Sequence, residues 1–449
     1  MVDDIRKRLS VLFILLFLIA VGVGLTGQVV ASMAANAKTL DRNLEPVAIC
    51  GADADSLVGT SIEHLFVYTY TGADWGGQIP IQVDEVTATG SYTTTEDGLL
   101  DANDEIVFMA MDLGDQAPDT ASLSTTLPIS ATWFEIEVTD PTDPAKKGWA
   151  YLVRSSILTS SVSTGYVDYT DATQRITTGH YELGLATTHS GLDYLTLSGS
   201  SVDVLDRTKL RVVLDTPLGP VTLTEDNLGA PPGSEPVLVK DGPVRLILQR
   251  AVSASSVLGQ ASLSTTYLAY DSLVQATASL SYTPINLVTL SSVRMSVDLD
   301  STAVVSPTTF YNANTSGGVT IDGSPDAVAE TPLSYWGQVS HTSGRLIQVA
   351  DPTPAGGTQK NFYRDDSSPE TPDTGQAGSY GDSGILIEGS LNQMFTTESS
   401  LFVLPPPDGG PDNVGTTYEE YFFNPLTVTA SSKQDRLKIF LPIILKSSD

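Results

Sequence analysis

Two histidines and a run of basic residues are the side chains in this sequence best suited to chemistry. His180-Tyr181 and His189, with Tyr194, lie within 15 residues of one another. Arg207, Lys209, Arg211, Lys240, Arg245 and Arg250 follow, six of the 20 basic residues that remain after Ala37. A His or Tyr base beside an Arg that neutralises a carboxylate is what β-elimination on a uronic-acid polymer requires. His180, Tyr181, His189, Arg207, Arg211 and Arg245 are the candidates for those roles. In the competing reading the arginines pair with Asp206, Asp215 and Asp241 across strands, which is worth little at a surface.

Three further constellations invite a chemical reading. Glu135 and Glu137 stand two apart on a strand, about 7 Å at the backbone, a spacing compatible with a glycosidase pair. Trp133 beside them has a ring that stacks on sugars; the plainer expectation for all three is a solvated strand face. Asp97, Asp101, Asn103 and Asp104 offer oxygens to calcium. An EF-hand is excluded, because Ile106 occupies the position where the sharp turn needs Gly. A calcium loop of another kind and a solvated acidic turn both stand. Gly381-Asp382-Ser383-Gly384-Ile385 resembles the nucleophile motif of chymotrypsin-like proteases. None of the four histidines, His64, His180, His189 and His341, has the upstream context that family needs, so an ordinary turn is expected here. No zinc spacing and no phosphate-binding glycine loop occurs.

The elements that must position these groups read as strands. In 133–139, Phe134, Ile136 and Val138 alternate with Trp133, Glu135, Glu137 and Thr139, the two-residue period of a pleated strand. Residues 65–70, 79–83 and 149–153 read the same way, and 106–111 reads as an interior strand. Further along, 209–214, 244–248 and 293–299 are strands, 273–282 alternates less cleanly, and 385–387 is a short apolar run. Loops are expected at 352–381 and 405–415, and no helical periodicity is evident outside the N-terminus. Many short strands with frequent turn signals predict an all-β chain of sandwiches or barrels.

Compartment is argued from the N-terminus. Arg6, Lys7 and Arg8 precede an apolar run from Val11 to Leu25, and a small-residue segment ends at Ala35-Asn36-Ala37. This is the pattern of a secretory signal helix. If it is not cleaved, residues 9–31 anchor the chain in a membrane. Either way the body is expected outside the cytoplasm. Cys50, the single cysteine, follows a lipobox-like Val47-Ala48-Ile49, but Ile49 is too large before a cleaved bond. The chain carries 53 acidic against 23 basic residues, net −30. Such a field repels nucleic acid and anionic membranes and favours cations. Charged residues make up only 17% and hydrophobic residues 41%, the balance of a folded chain with an acidic surface. The tail 439–445, flanked by Lys438 and Lys446, is too short to span a bilayer. It resembles the Leu-Pro-containing tails of some exported bacterial proteins, and reads equally as a last strand.

The second region, with its many strands, its long loops and stretches such as Lys240-Asp241-Gly242-Pro243-Val244-Arg245, resembles the supersandwich of galactose-mutarotase-like and polysaccharide-lyase proteins. That resemblance implies a large two-sheet sandwich; no catalytic motif of those families maps onto these residues. Gln82-Val83-Asp84-Glu85 and 103–108 resemble segments of uncharacterised exported bacterial proteins, which implies a compartment. The expected organisation is a signal over 1–37, a β-sandwich over 45–160, a larger β-sandwich over 161–430 and a tail over 431–449. The expected function is a non-catalytic cell-surface or extracellular module binding a glycan, a protein or another cell-envelope component. The alternatives are a lyase-type enzyme acting on an anionic glycan, and a structural envelope protein.

Overall fold

The computed structural model describes residues 36–434 except 73, 119–120, 122, 124–126, 130–131, 164, 198, 229–234, 257, 286, 303–306, 353–355 and 411. Of the signal expected over 1–37, residues 1–35 lie outside the described residues, as does the tail 439–445. The body is mostly β, built from antiparallel sheets as expected. Among the described residues no helix is long and apolar enough to cross a membrane.

Four sheets stack as layers. The first has five strands in the order Thr427–Gln434, Thr132–Thr139, Lys147–Arg154, Leu65–Thr71 and Asp74–Ile79. The second has three: Pro46–Cys50, Glu105–Met109 and Gln82–Asp84. Phe134, Ile136, Val138, Ala150 and Leu152 from the first meet Val47, Ile49, Ile106 and Phe108 from the second in one core. Residues 79–83 do not form the single strand expected. Pro80 has no N–H to give a ladder, and the chain crosses there from one sheet to the other.

Glu105–Met109 is buried on both faces. Ile106 and Phe108 point into the first sandwich. Val107 and Met109 join Ile347, Val349, Phe402 and Leu404 of the third sheet. An uninterrupted apolar run is what a strand covered on both sides requires, and the run at 106–109 stops where Ala110–Asp112 turns into a 3-10 helix.

The third sheet has nine strands, in the order Val237–Asp241, Leu246–Ser256, Gly259–Ala269, Leu273–Pro284, Met394–Leu404, Gly344–Pro352, Trp336–His341, Thr309–Asn312 and Thr315–Thr320. The fourth has five: Gly219–Thr224, Leu205–Thr216, Thr289–Leu299, Ser379–Leu391 and Gly356–Asp366. Leu210, Val212, Val293, Ile385 and Ile387 pack across onto Val252, Leu280 and Phe395, giving the larger sandwich. A four-stranded meander spanning Val167–Thr170 to Leu192–Leu197 closes one end of it through Ile176, Leu183 and Leu195.

Two further expectations fail. The loop expected at 352–381 contains the strand Gly356–Asp366, whose alternation is masked by polar residues on an edge strand. A helix, Gly415–Phe423, follows the loop at 405–415. Tyr418 and Phe422, one turn apart, dock on Phe402 and the back of the nine-stranded sheet. The chain then returns to the first sandwich, where Thr427–Gln434 pairs along the whole of Thr132–Thr139.

Candidate functional site

The basic candidates fall into two separate networks. On the fourth sheet, alternation sends Leu210 and Val212 inward, so Lys209 and Arg211 face outward, beside Arg294, Ser296 and Asp298 of the next strand. Residues 367–378 fold over this outer face. Lys209 Nζ lies 2.6 Å from Asp298 Oδ2, both side chains fully buried. Arg211 donates to Glu225 at 2.6 Å, to Thr374 at 2.8 Å and to Glu370 at 3.0 Å. Arg294 donates to both Glu370 oxygens, and its Nη2 is 3.9 Å from Asp382. Arg207 reaches Asp226 at 3.0 Å. Burial raises the pKa of Glu225, but Thr374 and Arg211 outweigh it and hold it below the ordinary value. Burial, then the charge of Asp382, pushes Asp298 up to about 8 against the pull of Lys209.

The second network joins the two sandwiches. Arg245 donates to Asp84 at 2.8 Å, Tyr270 Oη at 3.0 Å and Glu105 at 2.5 Å. Gln82 Oε1 accepts the N–H groups of Val244 and Arg245, and Gln82 Nε2 donates to Asp84. Burial raises the pKa of Asp84 against the pull of Arg245. Tyr181 is buried and donates to the Tyr270 carbonyl at 2.7 Å. The neighbouring Asp271 lies 3.1 Å from His180 Nδ1, and the His180 side chain is 38% exposed. His180, Tyr181 and Arg245 are therefore gathered around Tyr270-Asp271. His189 is not with them: it is buried, its Nδ1 2.9 Å from the Ser190 carbonyl. Arg207 and Arg211 lie on the outer face of the fourth sheet, across the larger sandwich from Arg245. The six candidates do not share one cleft, and the arginines pair mainly with carboxylates other than the Asp215 and Asp241 expected.

Trp133, Glu135 and Glu137 do share a strand face, but it is not the solvated face expected. Trp133 is packed edge-on against Trp75 and Tyr151, under a layer that includes Ala117, Leu123 and Leu158. Glu135 is 3.1 Å from Lys433 on the returning strand, and Glu137 is 2.5 Å from Lys147. In the acidic loop, Asp104 is fully buried and accepts the N–H groups of Asp101 and Val86. Asp97 accepts from Leu99, and the Asn103 amide donates to the Val86 carbonyl. Among the described residues no group of three or more His, Cys, Asp or Glu side chains is arranged to hold a metal ion.

The expected turn at 381–385 is a strand, part of Ser379–Leu391. Asp382 faces the ionic network while Ser383 points between the sheets. A Cβ on Gly384 would stand 2.1 Å from the Met295 carbonyl of the adjacent strand, so close pairing explains the glycine where catalysis does not. Gly384→Ala is expected to cost about 1–3 kcal/mol, as overpacking does. Ser383→Ala should cost less than half of that. Urea unfolding of both variants checks the order.

A cleft of about 840 Å³ opens at the junction of the sandwiches. Its walls include Glu63, His64, Gln78, Ile79, Ile157 and Lys240. Gln78 and Ile79 belong to Asp74–Ile79, an edge strand. Gln78 holds the segment that crosses the cleft, donating to the Thr159 carbonyl at 3.1 Å and accepting from Ser161 N–H at 2.7 Å. Ile157 is 73% exposed, and Lys240 pairs with Glu96. The sequence reading missed these residues; the Gly76-Gly77 pair beside alternating strands was the available sign of an unusual edge.

No family model matches this chain, and no curated protein matches it. Among solved structures it is similar to alpha-N-acetylgalactosaminidase NagBb from Bifidobacterium bifidum, in its GalNAc complex and its Gal-NHAc-DNJ complex. The identity is 12% in both, with TM-scores of 0.33 and 0.34. The likeness covers 52% of this chain and 36% of that one, so it spans little more than a third of that protein.

Proposed function

We propose that this chain is an exported, non-catalytic binding module that takes an extended segment of a neighbouring protein into the cleft between its sandwiches. One observation carries the reading: the open concave site is bordered by the end of the edge strand Asp74–Ile79 and by an exposed isoleucine, while the candidate arginines are neutralised within the fold. Adding a strand to an exposed edge is a general mode of peptide recognition. The strongly acidic chain favours a basic segment. Among the described residues lining the cleft there is no Trp or Tyr, the usual platform for a sugar, and Phe66 there is buried.

Selection of peptides on the immobilised full chain, alongside a glycan array, tests this. The expected result is capture of extended basic peptides, lost at least tenfold in Ile157→Asp without loss of thermal stability, since Ile157 is exposed. Failure to capture peptides, or capture unchanged in Ile157→Asp, overturns it; glycan capture in its place establishes the glycan-binding reading. The lyase reading keeps one supporting observation, the half-exposed His180 beside Asp271. Unsaturated product from a polyuronate, abolished by His180→Ala, would establish that reading and overturn ours.

A further inference from the structure

The larger sandwich is not filled through its middle. Rows of inward residues can be followed across the nine-stranded sheet from its register. One row reads Val252, Leu263, Leu280, Phe395 and closes the gap between sheets. The next reads Arg250, Thr265, Ala278, Thr397, and the one after it Leu248, Tyr267, Ala276, Ser399. Sheets pack about 10 Å apart, and Ala, Ser and Thr are too short to meet a partner across that distance. Opposite them stand Met295, Val297 and Ser383. The result is a cavity of about 220 Å³. A second, of about 120 Å³, shares Ala278, Met295, Gly337, Gln348, Ser383 and Ser399 with it as walls. The space is therefore elongated along the inter-sheet gap.

Its chemistry is mixed in a definite way. Leu183, Leu195, Leu205 and Val339 make apolar walls, and Thr265, Gln348 and Ser399 place hydroxyls and an amide along the nine-stranded side, with the Ser383 hydroxyl facing them from the fourth sheet. Arg250 is inward-facing and 5% exposed, with Asp193 and Glu235 acting on its charge. We propose that this cavity binds a linear amphipathic molecule: an apolar chain with an uncharged hydroxyl or amide end. Cavities lined only by apolar groups take up small apolar molecules at about 150 Å³. Here the polar side adds hydrogen bonds for one neutral end group. A carboxylate end would have to give up its hydration in a cavity whose walls are mainly apolar and whose polar groups are mainly neutral. This site is separate from the cleft and does not depend on what the cleft binds.

The test is calorimetric titration of the full chain with 1-hexanol to 1-dodecanol and with the carboxylates of equal length. One alcohol per chain should bind, gaining about fourfold in affinity per methylene until the cavity is full, then no further. Decanoate should bind at least tenfold more weakly than 1-decanol. Ala278→Leu, which fills the gap, should weaken binding at least tenfold; Ala276→Val, a smaller filling, should weaken it in the same direction and serves if the first variant does not fold. The proposal is overturned if no alcohol binds, if affinity climbs with length without limit, or if the filled variants bind as the parent does.

Discussion

Arg245→Met is expected to lower the stability of the chain by about 3–5 kcal/mol, the cost of breaking a buried ion pair from one side. Three features set that size. Asp84 and the Arg245 side chain are nearly inaccessible, so the carboxylate left behind cannot be rehydrated. Gln82 already spends its amide on Asp84 and its carbonyl on two backbone N–H groups, so it cannot turn to compensate. Tyr270 Oη and Glu105 lose a donor as well. Asp84 and Glu105 belong to the first sandwich, and Arg245 immediately precedes the strand Leu246–Ser256 of the second, so the loss falls on their junction. Differential scanning calorimetry should show one transition for the parent and two for the variant. Replacing the acceptor too, in Arg245→Met with Asp84→Asn, should restore at least half of the loss. Retention of full stability in Arg245→Met would mean that the apolar contact of Val107 and Met109 with the nine-stranded sheet holds the sandwiches together without the ion network.

That junction also marks the limit of what the sequence discloses. Alternation at 133–139 and 293–299 announces strands because each has one apolar core face, while the apolar run at 106–111 announces a strand covered on both, and 149–153, apolar throughout, is likewise buried on both faces. Arg245 is different. Nothing in Asp241-Gly242-Pro243-Val244-Arg245 says that its carboxylate partners lie more than 100 residues earlier, since pairing across sheets leaves no local period. Trp133, Glu135 and Glu137 were legible as one face. Among the described residues, Ala117, Ala121, Leu123 and Leu127 pack over that face, from a stretch whose composition is that of a loop. The helix Gly415–Phe423 was within reach: Tyr418, Tyr421 and Phe422 have helical spacing, obscured by the short length. The imperfect alternation at 273–282 was itself a signal. Ala276 and Ala278 interrupt the larger inward residues, and that interruption is the central wall of the cavity.

Stability should fall as pH rises from about 5 to 8, and Asp382 should control much of the fall. Asp298 sits in the outer network, pushed up to about 8 by burial and by the charge of Asp382. Asp382 is raised as well, by its own burial. The groups facing them are Lys209, Arg294 and the Tyr380 N–H. A carboxyl raised by folding keeps its proton in the native state where the unfolded chain has already lost it. The unfolded state then binds fewer protons, and stability declines with pH by up to about 1.4 kcal/mol per unit for each such group. The decline begins above the ordinary carboxylate range and is complete once Asp298 ionises near 8. Glu225 and Glu370 have the opposite sign: held low in the fold, they add stability above their unfolded pKa that is lost as pH falls through the folded value. Together these place the maximum near pH 5. Asp382→Asn removes the like charge, brings Asp298 back toward the ordinary range and should flatten the slope between pH 5 and 8 by about half or more. Urea unfolding at half-unit intervals measures both slopes. A parent whose stability is level or rising across that interval, or an Asp382→Asn variant with an unchanged slope, would show that Asp298 is ionised in the folded chain throughout it.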